Sequence, residues 1–423
     1  MTANRTTIGL GLIIGLGLIL RILYAVWIYE PTLVAYHNGD YNLYRIAAEE
    51  ILQGDLAFTN SLYLVRPPLF PLLVALLGLQ PLLILAVNIV LSTAIIPLTY
   101  LLAQQFGLSK TGAALAALIV ALNPTSIKYA GVLLPEPLAN FLLALFYLAL
   151  MHLYRLGWDN RSMIGFALIC GLLLALAALA RPAAYLLWLP VGFWLLLVQR
   201  RHWRSAAVFL LVALAGTSVW QVHNYVVFNN SSYSTIGTYN MLYYRAASVL
   251  YQQGEQDIDA VYTELARRVE TRLGNDTSAV DAGTRYAHTA PSSETQAAMQ
   301  QTAFEVFLNA PLVYIKTIPV GLYRILLNTT GFPGILQIVV FVWNAALLLA
   351  ASMGIGLMWR RGDTAEAAIL FLLCAYFVLG TLWVQTSGID TRATAMLTPL
   401  LAVSAGQVLM YRRHSLTLTN PAT

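Results

Sequence analysis

The chain is divided by long, uncharged apolar runs, such as Ile8 to Leu20, that are too continuous for the surface of a soluble fold. Hydrophobic residues make up 59% of the sequence and charged residues only 10%, with a mean hydropathy of +0.69. That excess of apolar surface has to face lipid. Crossing the hydrocarbon layer takes roughly 20 apolar residues per helix, because each residue rises about 1.5 Å and the layer is about 30 Å thick. The runs are continuous and rich in Leu and Ala, which indicates helices rather than strands. The expected fold class is therefore an all-α polytopic membrane protein, with residues 1–423 forming a single membrane domain. Arg5 followed by Ile8 to Leu20 could be misread as a signal peptide, but no small-residue cleavage site follows, and more apolar residues come after Arg21. The run reads as a retained first span. Cys170 and Cys374 both fall inside expected spans, which argues against a disulfide framework.

Ten spans are expected, at 8–28, 80–103, 111–128, 137–154, 162–180, 183–199, 205–224, 334–358, 366–384 and 394–411. Alternating them from a cytoplasmic N-terminus places Arg5, Lys110, Arg155, Arg161, Arg200, Arg201, Arg204, Arg360, Arg361, Arg412 and Arg413 inside. This is the positive-inside pattern, so the net charge of +5 reads as a topology signal and not as a nucleic-acid surface. Both termini are then cytoplasmic in a plasma membrane, the bacterial inner membrane being the expected one, and two long segments, 29–79 and 225–333, face outward.

The first outer segment runs from Tyr36, His37 and Asn38 into a short surface helix over Tyr41 to Gln53. Asp40 suits its N-terminus, where a carboxylate can accept free backbone N–H groups. Leu43, Ile46, Ala47 and Ile51 form its apolar side, Arg45 and Glu49 stand i,i+4, and Gly54 is a stop signal. The second segment carries a polar stretch, Gln252 to Thr302, and reads as a few surface helices. Phe304 to Leu327 is expected to lie amphipathically along the membrane. Reading it as an eleventh span would put Arg360 and Arg361 outside, against the charge pattern.

Charges outside the positive-inside pattern are the functional candidates, because charge near a membrane is costly. They are Asp40, Arg66, Glu136, Arg181 and Arg392 at outer positions, plus Arg21 within the first span and expected to point to the same face. In chain order these residues sit in Asp40-x-x-x-Tyr44-x-x-x-Ala48, Arg66-Pro67-Pro68, Leu134-Pro135-Glu136-Pro137, Ala180-Arg181-Pro182 and Trp220-x-x-His223-Asn224-Tyr225, with a weaker echo over Asp390 to Pro399. That series resembles the GT-C membrane glycosyltransferases, in particular the bacterial branch related to protein O-mannosyltransferases and lipid A aminoarabinose transferase. The resemblance covers residues 8–240 in order.

The resemblance implies an inverting glycosyltransferase that moves a sugar from a polyprenyl-phosphate donor to an acceptor hydroxyl on the outer side. The acceptor would be a glycan, a lipid or a protein. Asp40 matches the family's general base, and a carboxylate suits that role by its own chemistry. Arg66 matches a basic residue that in the family pairs with an acid on the second outer loop, here Glu136. Arg181 is the first candidate for the donor phosphate, since a guanidinium binds phosphate in bidentate fashion, with Arg245, Arg392 and Arg45 behind it. The chain departs from its relatives at Leu43 and at His223, where arginines are often found. A lone histidine at a span end reads as a satisfied hydrogen-bonding residue. A divalent cation shared by Asp40 and Glu136 stays open, since hard cations prefer carboxylate oxygens, but no metal site is assigned without further ligands. The competing class is a polytopic transporter or flippase for an envelope precursor. Against it stand the scarcity of mid-span charge, the absence of a visible repeat and the gathering of charge at one face.

Overall fold

A computed structural model of the chain describes residues 2–28, 39–156, 160–198, 203–254, 257–281, 292–327, 329, 332–384 and 392–418. Side chains are described at all of these except 2–6, 39, 160, 161, 384, 392, 393 and 409–418. Every regular element among the described residues is helical. Seven helices are long and apolar enough to cross a membrane: Thr7–Ile28, Pro81–Gln105, Glu136–Arg155, Ser162–Ala180, Trp203–Phe228, Ile335–Arg361 and Thr364–Trp383. The other three expected spans fall on a bent pair, Lys110–Leu122 with Pro124–Ala130, and on the shorter apolar helices Pro182–Val198 and Thr394–Val408. Large apolar side chains such as Leu12, Phe193, Leu211 and Val219 stay mostly exposed on these helices. Only lipid covers such a surface at low cost.

The bent pair turns by 53° at Asn123. Pro124 has no N–H and cannot return a bond to Val120, so carbonyls at the end of the first half lose their helical donors. Val120 keeps only a long bond from Asn123 N at 3.4 Å, and Arg21 supplies further donors. It is fully buried, and it donates to the Val120 and Ala121 carbonyls, each at 3.3 Å, to the Gly17 carbonyl at 2.9 Å and to Ser92 Oγ at 2.8 Å. A cation at the negative end of a helix dipole is also well placed electrostatically. Arg21 therefore does not point to the outer face as expected. Its donors are consumed inside the bundle, where they join the first span to two others.

The stretch Phe304 to Leu327 is broken near its start and is not a straight span. The helices Ser293–Asn309 and Pro311–Leu327 meet there at 102°, because Pro311 again ends the preceding hydrogen-bond ladder. Leu242, Tyr243, Val249, Val261, Leu265, Val269, Met299 and Val306 form an apolar cluster of their own.

Helices in lipid associate by close packing, so small residues mark their contacts. The tightest is Gly354 on Ile335–Arg361, where a Cβ would lie 1.7 Å from the backbone oxygen of Ser404 on the last helix. A backbone atom cannot swing aside as a side-chain end can. Gly354→Ala is expected to destabilise the protein by at least about 1–3 kcal/mol, the usual cost of overpacking. Thermal unfolding in detergent checks this against Gly356→Ala, whose Cβ meets nothing within 4 Å; equal melting of the two variants would contradict the packing.

Candidate functional site

Asp40 lies in the first turn of the helix Gly39–Leu52, where unpaired N–H groups favour a negative side chain. The buried face of that helix, with Leu43, Tyr44, Ala47, Ala48 and Ile51, turns towards the helix Leu69–Leu76, and Tyr44 meets Phe70 edge-on at 5.0 Å between centroids. Tyr63 Oη donates to the Ala47 carbonyl at 2.5 Å and fixes its far side. Arg66 follows the short helix Leu62–Val65 and precedes Pro67, and its backbone is extended (φ −125°, ψ 103°), as a residue before proline must be. From there its Nη2 reaches Asp40 Oδ1 at 2.5 Å.

The second acid is built the same way. Glu136 opens the helix Glu136–Arg155 directly after Pro135, and its side chain is 0% exposed. Its partner is Arg181, which ends Asn160–Ala180 and is held extended (φ −152°, ψ 117°) by the following Pro182. Arg181 Nη1 lies 2.6 Å from Glu136 Oε1. The expected pair, Arg66 with Glu136, is thus not among the described ion pairs. The described partners are Asp40 for Arg66 and Arg181 for Glu136, because Asp40 starts a helix folded back over Arg66 and Glu136 faces the end of Asn160–Ala180. Glu136, between its two prolines, is the first residue of its helix.

Local contacts gather both pairs at one end of the bundle. Asn88, two turns into Pro81–Gln105, donates to the Val132 and Leu134 carbonyls at 2.8 and 3.2 Å and so fixes the loop before Glu136. Ser234 Oγ donates to the Val65 carbonyl at 2.7 Å and Thr235 N to the Leu64 carbonyl at 3.1 Å, beside Arg66. Tyr233, next in sequence, stacks on Tyr185 at 4.3 Å, four residues beyond Arg181. His223 stacks on Trp220 at 4.4 Å, and its Nε2 donates to the Ala57 carbonyl at 2.8 Å. This agrees with its reading as a satisfied hydrogen-bonding residue. The contact helps to hold Phe58, whose φ of 54° is unusual outside glycine. Sequence reasoning missed Asn88, Tyr233 and Ser234. Only Asn88 left a signal, as an amide within an apolar span.

The remaining cations differ in availability. Arg45 pairs with Glu49 on its own helix and also donates to Asn42. Arg245, in a π-helical turn over Met241–Ala246, is fully buried. No nitrogen of its guanidinium meets hydrogen-bond geometry, and the group lies 4.3 Å from the Tyr314 ring centroid. Burial pulls its pKa down from the usual arginine value, and Tyr314 opposes that shift. Lys128, which was not singled out in the sequence, lies over the rings of Tyr129 and Phe332. Arg392 begins the last helix, and its side chain, like Tyr36, His37, Asn38 and Asp390, lies outside what the structure describes. Among the described residues no three His, Cys, Asp or Glu side chains gather as metal ligands.

No family model matches the sequence, and no curated protein matches it. Solved structures do match the fold. The archaeal oligosaccharyltransferase AglB from Archaeoglobus fulgidus, in complex with an inhibitory peptide and a dolichol-phosphate, aligns at 13% identity with a TM-score of 0.57 over 99% of this chain and 51% of that one. The apo form of the Archaeoglobus fulgidus oligosaccharyltransferase gives 14% identity and a TM-score of 0.57, over 98% and 51%. The chain spans about half the length of these proteins. ArnT from Cupriavidus metallidurans, bound to undecaprenyl phosphate, aligns at 14% identity over 92% of this chain and 77% of that one, but its TM-score of 0.37 is too low to argue from. The chain has the all-α GT-C membrane fold.

The Glu136–Arg181 pair should be structural as well as local to the site. Removing one partner of a buried pair costs about 3–5 kcal/mol, because the other charge stays buried and uncompensated. Arg181→Met alone should therefore lower thermal stability strongly, and Arg181→Met with Glu136→Leu should recover most of the loss. A double variant no better than the single one would contradict the pairing.

Proposed function

We propose that this protein is an inverting glycosyltransferase that takes a sugar from a polyprenyl-phosphate donor and transfers it to a hydroxyl on the non-cytoplasmic side of the membrane. The observation that carries the reading is Asp40, a carboxylate at a helix start, fixed by Arg66 at the end of a GT-C bundle. The solved structures support it in kind, since the AglB structure holds a dolichol-phosphate.

Asp40 orients the acceptor hydroxyl and takes its proton as the oxygen attacks the anomeric carbon. The bond from that carbon to the phosphate oxygen breaks on the opposite face, so the configuration inverts and the electron pair leaves with the lipid phosphate. Arg66 holds the carboxylate in one orientation. The departing charge needs a cation, and Arg245 is the strongest of the three candidates whose side chains are described, Arg45, Arg181 and Arg245. Arg45 and Arg181 already hold carboxylates, whereas the Arg245 guanidinium lies over the Tyr314 ring and pairs with no acid among the described ion pairs. Arg181 and Glu136 then act as the pin between the second loop and the bundle. The arginine-rich loops support this orientation, with both termini on the cytoplasmic side and Asp40 outside.

Membranes containing the protein, supplied with radiolabelled polyprenyl-phosphate sugars, should pass label to an acceptor. Asp40→Asn should lower the rate by about 10²–10⁴-fold, the usual worth of a general base. Arg245→Gln should weaken donor use more than acceptor use. Normal transfer by Asp40→Ala would overturn the mechanism. Donor movement across the membrane without transfer would favour a flippase.

A further inference from the structure

The end of the bundle away from Asp40 holds a second arrangement of charge that the proposed reaction does not use. Glu136 opens a helix of 20 residues that Arg155 closes, so the two ends lie about 30 Å apart at about 1.5 Å per residue. Around Arg155 is a cavity of about 250 Å³, lined also by Met358, Arg361, Asp363, Glu366 and Gln407. These residues come from the ends of three helices, Glu136–Arg155, Ile335–Arg361 and Thr364–Val384, with Asp363 in the short turn between the second and third and Gln407 from within Arg392–Leu418.

The lining is charge-balanced, with two guanidinium groups and two carboxylates, and its ion pairs are loose. Arg155 lies 3.3 Å from Glu366, and Arg361 Nε lies 3.5 Å from Asp363 Oδ2, beyond a good hydrogen bond. At the other end the corresponding distances are 2.5 and 2.6 Å. The firm contacts here run through Gln407, which accepts from Arg361 Nη2 at 2.7 Å and donates to the Phe106 carbonyl at 3.1 Å. Arg361 is thereby held in place with Nε free of any hydrogen bond.

A ligand of one sign would leave two opposite charges uncompensated. A ligand with both signs can open both pairs and replace each with a stronger contact. Phosphate oxygens suit the forked donors of Arg155 and Arg361, and a primary ammonium can donate to Asp363 and Glu366. A quaternary ammonium has no N–H to give. The cavity is smaller than the roughly 300–1,000 Å³ of pockets for drug-sized ligands, which limits the occupant to a headgroup or a small metabolite. Trp359, next in sequence to the lining residue Met358, is 58% exposed, and tryptophan is enriched at headgroup level as an aromatic anchor.

We propose that this cavity binds a phosphoethanolamine-type zwitterion, a phosphate ester with a neighbouring primary ammonium, carried by a phospholipid headgroup or free in solution. The site is independent of the reaction assigned to Asp40.

Native mass spectrometry of the full-length protein in detergent tests it, with phosphatidylethanolamine, phosphatidylglycerol and phosphatidylcholine of identical acyl chains at equal concentration. Phosphatidylethanolamine should be retained roughly tenfold over the other two, about the worth of one charge-assisted contact. Asp363→Asn with Glu366→Gln keeps both arginines and should abolish the preference over phosphatidylglycerol; Arg361→Gln should weaken both phospholipids. Asp363 is half exposed, so Asp363→Asn alone, checked for unchanged melting, should also reduce the preference if Arg361→Gln fails to fold. Competition by millimolar O-phosphoethanolamine without bound lipid would assign the site to the free metabolite, and lipid retention without such competition to the headgroup. Equal retention of the three lipids with no binding of O-phosphoethanolamine, or a preference untouched by the carboxylate changes, would overturn the proposal.

Discussion

A carboxylate at the rim of an apolar bundle has to be compensated, and in this protein the compensation comes from arginines whose backbones are set by proline. Arg66 and Arg181 each stand immediately before a proline, each is extended, and each ends a helix with its side chain turned to an acid. The proline ring excludes the helical backbone at the preceding residue. It thus fixes where each chain segment leaves its helix and where each guanidinium starts. Asp40 and Glu136 sit at helix starts, where the backbone N–H groups favour negative charge. Helix ends, proline and charge therefore act together, and the contacts of Ser234, Tyr185 and Asn88 join the two pairs into one rim.

The spans were legible because hydropathy acts residue by residue along the chain and needs no knowledge of partners. The Asp40 helix was legible for a similar reason: its acid, its apolar spacing and its stopping glycine are all local. Partner choice was not. Arg66 and Glu136 are seventy residues apart, and which acid an arginine meets depends on how the segments fold over one another. Arg21 shows the same limit. In sequence it is a misplaced charge; in the fold it serves carbonyls released by Pro124, a hundred positions further on. The break at Pro311 could be read from the proline itself, but its angle depends on what the two halves pack against.

The two ends of the bundle treat charge in opposite ways. At the Asp40 end the ion pairs are short, and one carboxylate is wholly buried. Such groups are rigid and suited to holding a reacting centre in place. At the Arg155 end the pairs are long and surround a void. Between them Arg21 is satisfied by three spans, so its donors are not available to line a translocation path. This distribution fits surface chemistry better than transport.

The most direct test of this account is where a lipid phosphate docks. A polyprenyl phosphate bearing a diazirine near its phosphate, photolysed with the protein in nanodiscs, should label peptides from the Asp40 end, including residues 39–76, 181–185 and 233–245. Arg245→Gln should reduce that labelling. Labelling confined to the peptides around Arg155 and Arg361, or spread evenly over the lipid-facing helices, would contradict a donor site at Asp40.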